Sequence, residues 1–437
     1  MPLSCSYATV LRGKITMNDI SQAEVSPPSF LDRIGLPAHL FPGFLGLLLF
    51  MIGDGVESNY FSPFLVDSQG FSEGSAALTI SLYGVFATIG SWFAGTLSAV
   101  LGPRKVMLIG ALSWVVFEAV FLTIGVQAGV HWVAVASYAI RGIGYPFFAY
   151  AFLVWVNLAT PAHQRGSSVG WFWFAFGAGL PTLGSLLASF TIPMIGEVLT
   201  FWLGTVLIAV GAGVALLGIR DLRHAGPAAQ NGNGLAGFKH ALTIIWRRPR
   251  VTAGAVVRLV NTTPNFALFV VAPFFFIHQI GFTQSQYLQI VTLVYTANIF
   301  ANLAFGVIGD RFGWKRTVTW FGCVMSGIGV LALYYIPLWV GPNYLLTAIC
   351  WAIFAIGLAG FVPLTALVPS MVPPAERGNA LALYTLAAGL AAFLGPALVA
   401  VVGGAGRMEL LIWIFAAMYL GGALLCLYLS SSEDPGY

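Results

Sequence analysis

The stretch Gly306-Val307-Ile308-Gly309-Asp310-Arg311-Phe312-Gly313 has a counterpart 211 residues earlier, Gly95-Thr96-Leu97-Ser98-Ala99-Val100-Leu101-Gly102. Both close an apolar run. The same offset separates Gly70-Phe71 from Gly281-Phe282, and 212 residues separate Arg165-Gly166 from Arg377-Gly378. Three pairs at almost one spacing mark a duplicated unit. A duplication of this kind in a membrane chain puts a substrate site near the midplane, between the two copies.

The rest of the chain is apolar enough for that setting. Of 437 residues, 58% are hydrophobic and only 8% are charged, and the mean hydropathy is +0.88. Such a composition excludes a soluble enzyme, a disordered chain and a nucleic-acid binder. A bilayer core of about 30 Å needs about 20 apolar residues per helix. Twelve stretches qualify: 41–65, 75–100, 105–126, 132–158, 167–190, 199–219, 251–278, 284–308, 317–338, 343–368, 378–402 and 408–430. The expected fold is an all-α membrane protein of twelve transmembrane helices in two pseudo-symmetric six-helix bundles. The expected organisation is a tail over 1–38, a first bundle over 39–220, a linker over 221–250, a second bundle over 251–430 and a tail over 431–437.

Basic residues set the orientation. With an inside N-terminus, all but three of the 19 Lys and Arg residues fall on the inner side. The exceptions are Arg407 outside and Arg141 and Arg258 within spans. Both termini are therefore expected in the cytoplasm, with the protein in the inner membrane. Residues 1–40 are polar and offer no cleavable signal peptide, and Met17 is an alternative start. The four cysteines have neither paired nor metal-type spacing, and the six histidines are scattered. No metal or cofactor is expected. The chain has no G-x-x-x-x-G-K-[ST] loop for ATP. Gly166-Ser167-Ser168-Val169-Gly170 matches a nucleophile-elbow pattern, but a membrane helix precedes it rather than a strand.

The stretch Gly306–Arg316 resembles the loop motif of major facilitator superfamily transporters, with Gly306, Asp310, Arg311, Gly313 and Lys315 as a cytoplasmic gate. The first copy carries Ala99 and Val100 where the acid and base would stand, so the latch is expected on one side only. The segments Gly53-Asp54-Gly55-Val56-Glu57, Arg141-Gly142-Ile143-Gly144-Tyr145-Pro146, Gly170-Trp171-Phe172-Trp173 and Arg258-Leu259-Val260-Asn261-Thr262 resemble the bacterial ribitol and D-arabinitol permeases of the polyol permease family. The stretch from Ser189 to Glu197 and Trp320-Phe321-Gly322-Cys323 do so too. The likeness runs from about Gly35 to Leu429. It implies a transporter, typically a monomer, whose close relatives move polyols or even oxo-acids. It further implies that the first, fourth, seventh and tenth helices line the central cavity.

Charged side chains inside a bilayer are costly and tend to face a cavity and a partner. Asp54, Glu57, Glu118, Arg141 and Arg258 all fall in spans. At about 1.5 Å per helical residue, Asp54 and Arg141 come out level, with Arg258 nearer the inner edge. Asp54 is read as a protonatable carboxylate, with a fixed Asp54–Arg141 ion pair as its structural alternative. Glu57, on the same helix face, either shares the proton or is a solvated residue at the mouth. Arg141 and Arg258 are read as cavity arginines that pair with acids. Arg258, Asn261 and Asn265 form a polar stripe, and amides satisfy hydroxyl donors and acceptors alike. Helix-to-helix bonding is the other reading of that stripe, and an equal one for Tyr295, Asn298 and Asn302. Tyr145 and Trp171 are candidates to stack on the substrate. Glu118 is placed on a peripheral helix, neutral or locally paired. Pro146, Pro181, Pro273 and Pro363 are expected to kink their helices.

The expected function is import of an acyclic sugar alcohol of the ribitol or D-arabinitol type by proton symport with alternating access. The alternative is a proton-coupled 2-oxoacid symporter. A drug exporter, suggested by Gly177, Gly179, Pro181 and Gly184, lacks the full spacing. The lack of an added soluble domain counts against a membrane sensor.

Overall fold

The computed structural model describes residues 30–33, 36–160, 165–219, 244–373, 376–432 and 434. Almost all of the tail 1–38, most of the linker 221–250 and most of the tail 431–437 lie outside the described residues. Among the described residues, twelve helices are long and apolar enough to cross a bilayer: α1 (Ala38–Ser58), α2 (Glu73–Gly95), α3 (Pro103–Gln127), α4 (His131–Ala159), α5 (Ser168–Ile195), α6 (Glu197–Gly218), α7 (Pro249–Ile280), α8 (Gln284–Phe312), α9 (Trp314–Val340), α10 (Tyr344–Ser370), α11 (Leu383–Val402) and α12 (Ala405–Tyr428). The expected first span, 41–65, is cut short. Its helix ends at Ser58, and a short turn at Phe61–Pro63 follows. Pro63 clashes with the carbonyl four residues back, at Asn59, and donates no backbone bond.

The prolines expected to kink helices each stand at or beside irregular backbone. Pro146 follows the break in α4 at Gly142-Ile143, and Pro181 lies in the wider π turn Ala178–Leu183. Pro273 precedes the π turn Phe275–Ile280, and Pro363 closes a break in α10.

Close approach between helices rests on glycine. Within the first six helices, α1 lies against α6 where Gly46 meets Gly211 and Gly53 meets Gly204. Side chains there would hold the backbones apart, and in lipid it is close van der Waals packing that binds helices. In the second half α7 packs on α11 with Gly395 against the Thr263 carbonyl, the counterpart of Gly184 of α5 against Gly55 of α1.

Two seams join the halves, and the half-to-half correspondence exchanges one for the other. In the first, α2 meets α11: the Thr88 hydroxyl donates to the Gly389 carbonyl (2.9 Å) and Ser81 to that of Phe393 (3.3 Å). In the second, α5 meets α8: Ser285 donates to the Ser189 carbonyl (2.8 Å) and Thr292 to that of Thr182 (3.3 Å). At one end of the seams the Ala405 N–H donates to Glu73, and His278 lies 3.3 Å from Asp67. The opposite end carries Arg104, Lys105, Arg248, Arg311, Lys315 and Arg316.

Candidate functional site

Glycines again decide which side chains meet. Gly55 is pressed against the Leu180 carbonyl of α5, and Gly53 against α6, so α1 sinks deep enough to bury the Asp54 between them. A β-carbon on Gly144 would lie 2.6 Å from that of Trp114, and one on Gly110 2.7 Å from the Gly144 carbonyl. Helices α3 and α4 therefore run close enough for Glu118 and Arg141 to touch.

The resulting cluster is nearly sealed: Asp54 is 4% exposed, Glu57 2%, Arg141 1% and Glu118 0%. One guanidinium nitrogen of Arg141 pairs with Glu57 and the other with Glu118. Its flat face lies over the rings of Tyr138 (4.2 Å), Trp114 (4.5 Å) and Tyr83 (5.5 Å). Stacking of this kind suits a desolvated arginine. Asp54 is bonded otherwise, accepting the Trp114 indole N–H at 2.9 Å. The structural alternative for Asp54, a fixed ion pair with Arg141, does not form: the arginine is taken by Glu57 and Glu118, with Asp54 alongside. Glu118, expected to be neutral or locally paired, is paired with Arg141 and belongs to this cluster. Trp114 and Glu118 stand four residues apart on α3, on one face. That spacing was the available signal for their joint role.

Arg258 has a different setting. It is half-buried on α7, over the ring of Tyr384 (5.2 Å). Among the described residues no carboxylate lies within ion-pair distance of it, and its Nε has no hydrogen-bond partner. The expected ion pair at this arginine is absent, because the acids of the spans are gathered on α1 and α3. Arg258 instead acts electrostatically on Tyr150 of α4, across the gap between the halves. Ser91 hydrogen-bonds Tyr145 and Tyr150, and Asp54 interacts with Tyr83 and Tyr145. A line of polar groups thus runs from Asp54 through the tyrosines to Arg258.

The Major Facilitator Superfamily profile matches residues 43–289 and again 254–436. The chain belongs to the major facilitator superfamily. It is similar to the alpha-ketoglutarate permease of Bacillus subtilis (strain 168), 38% identical over 404 residues that cover 92% of each chain. It is also similar to the D-arabinitol transporter of Klebsiella pneumoniae, 32% identical over 92% of this chain and 95% of the relative. Among solved structures, a nucleoside transporter matches with a TM-score of 0.72 at 14% identity, over 89% of this chain and 99% of that one. These matches are to transporters, not enzymes, and the facilitator's substrate differs among them.

The other residues of interest take their places in this facilitator as follows. Asn261 is buried and its side-chain oxygen has no hydrogen-bond partner, whereas the Asn265 side chain accepts from the Tyr295 hydroxyl (2.7 Å). Asn298 donates to the Ala355 carbonyl (2.6 Å) and Asn302 to Asn298 (2.9 Å), both bonds between or within helices. Tyr145 lies nearly parallel to Tyr83 at 6.3 Å, and half-buried Trp171 meets Phe174 edge-on at 5.4 Å. In the loop motif, Gly306 has open space around it and Gly313 turns with φ +99°. Asp310 and Arg311 are exposed, and Asp310 accepts the Trp314 indole N–H (3.0 Å). Lys315 donates to the Leu427 carbonyl (3.0 Å). Among the described residues no hydrogen bond or ion pair joins Asp310, Arg311 or Lys315 to the first half.

Proposed function

We propose that this facilitator takes up a small organic acid of the 2-oxoacid type together with protons, by alternating access. One observation carries the choice of substrate: Arg258 presents a half-buried positive charge to the space between the halves with no carboxylate beside it, while Arg141 is already matched by two acids. An unmatched guanidinium inside a bilayer is costly. A carboxylate-bearing substrate removes that cost, and it suits the planar fork of arginine. The similarity to an alpha-ketoglutarate permease supports the same class.

In this reading Arg258 anchors the carboxylate, Asn261 and Asn265 hold oxygens further along the carbon chain, and Tyr145 and Trp171 border it. Asp54 and Glu57 take the proton. The basic face is the cytoplasmic one, with both termini on that side of the inner membrane. Asp310, Arg311 and Lys315 engage the first half when that face closes. The protein works as a monomer.

The second reading is an acyclic polyol of the ribitol or D-arabinitol type, favoured by the unbonded Asn261 oxygen and the tyrosine-lined wall, and supported by the D-arabinitol relative. Thermal shift of the purified protein with 2-oxoglutarate, ribitol, D-arabinitol, xylitol and mannitol separates them. At a hundredfold excess over Kd a true ligand stabilises by about 2.7 kcal/mol. Stabilisation by 2-oxoglutarate, abolished in Arg258→Gln and in Arg258→Lys, is expected. A shift with polyols alone, unchanged in Arg258→Lys, overturns the organic-acid reading.

A further inference from the structure

Three carboxylates and one guanidinium are packed together on α1, α3 and α4. Arg141 is the one basic residue bonded to any of the acids, among the described residues. With all three acids ionised the group carries two net negative charges. None of its members is more than 4% exposed. A buried charge left without its counterpart costs several kcal/mol, and the usual relief is a proton. The surrounding groups supply no further positive charge. The ionisable groups acting on Glu118 are Arg141, Glu57 and Asp54. Those against Arg141 include Tyr138 and Tyr83, and Tyr83 and Tyr145 also face Asp54. Arg141 itself stands in the last turn of the first segment of α4, His131–Arg141, where unpaired carbonyls add negative potential.

Within the group, Glu118 is the acid with no exposed surface. Its Oε1 is reached by no donor, nor is Oε2 of Glu57, so burial is what sets Glu118 apart. Its Oε2 meets Arg141. A full carboxylate gains nothing there from solvent at one oxygen and shares its single cation with Glu57.

We infer that Glu118, on a helix that does not border the vestibule in the sequence reading, is a proton-binding site. It holds the proton in the arrangement described here, with Arg141 balancing Glu57, and passes it to Glu57 and Asp54 when the cluster rearranges. Asp54, the most exposed of the three acids, is where the proton exchanges with water. Protonation of Glu118 follows from the packing alone. Its part in uptake rests on the proton-linked reading above.

Infrared spectroscopy of the purified protein across neutral pH tests the site without any substrate. The carboxylic C=O band of a buried protonated acid is expected in the wild type, absent in Glu118→Gln and present but shifted in Glu118→Asp. A band of the same amplitude in Glu118→Gln, or one removed by Asp54→Asn alone, overturns the inference. In proteoliposomes, Glu118→Gln is expected to bring accumulation under a pH gradient down to a ratio of unity while counterflow persists. Loss of the band with accumulation intact leaves the proton site standing and removes the proton-linked reading of transport through it.

Discussion

The two halves repeat one fold and divide the chemistry. At the offset of 211 residues, Asp54 corresponds to Asn265, Glu57 to Leu268, Glu118 to Gly329, Arg141 to Ala352 and Trp114 to Met325. Every charge of the first cluster is neutral in the second copy. Gly329 lies against the backbone of Phe354, closing with packing the space that an ion pair fills in the first half. Conversely, Arg258 corresponds to Leu47, a buried core residue. Buried charge comes as a complete set or as a single group aimed at a space, and the halves show one of each. The first half holds a self-contained acid–base cluster. The second presents one unmatched cation to whatever enters between them.

The contrast is broken most directly by exchanging the two arginines for glutamine. Arg141→Gln strands two sealed carboxylates and is expected to destabilise by about 3–5 kcal/mol, read as a large fall in the midpoint of unfolding in detergent. Arg258→Gln is expected to stay within about 0.5 kcal/mol of the wild type. Equal losses mean that Arg258 is a structural residue after all. Next in size, replacing Glu57, Glu118 and Arg141 together by leucine is expected to recover about 1–4 kcal/mol relative to Arg141→Gln. No recovery means that the cluster's cost is not electrostatic. Trp114→Phe removes the 2.9 Å bond to Asp54 and is expected to cost about 1.5–3 kcal/mol, measured by the same unfolding. The smallest effect belongs to the second half's loop motif. Asp434 accepts the backbone N–H groups of Trp314 (2.7 Å) and Lys315 (3.0 Å), capping α9. Asp434→Ala is expected to cost about 1 kcal/mol, with substrate-induced thermal shifts unchanged.

Much of the fold was legible because it depends on quantities that a sequence carries locally. Span length and polarity marked twelve helices, and the basic loops marked one face. The four kink prolines stand at irregular backbone because a missing N–H acts wherever it occurs. The first span was read too long because hydropathy averaged over a window does not register where a helix stops, and apolar residues resume on either side of Pro63. At the site, the types of residue were legible and their pairings were not. Depth along the helix put Asp54 and Arg141 level. Being level says nothing about facing, since each residue turns the helix face by about 100° and 3.6 residues complete the circle. Glu118 was expected to be neutral or locally paired, but its partner was not legible, because it depends on Gly110 and Gly144 letting α3 close on α4.

By itself, the sequence determined that this chain crosses a bilayer twelve times in two related halves and places five ionisable groups within the spans, because hydropathy and helix length are properties of each segment alone. The tertiary structure decided that Arg141 belongs to Glu57 and Glu118, that Asp54 is held by Trp114, and that Arg258 is left facing the gap. Those outcomes depend on how far each helix is rotated and how closely glycine lets its neighbours approach, which no single segment contains.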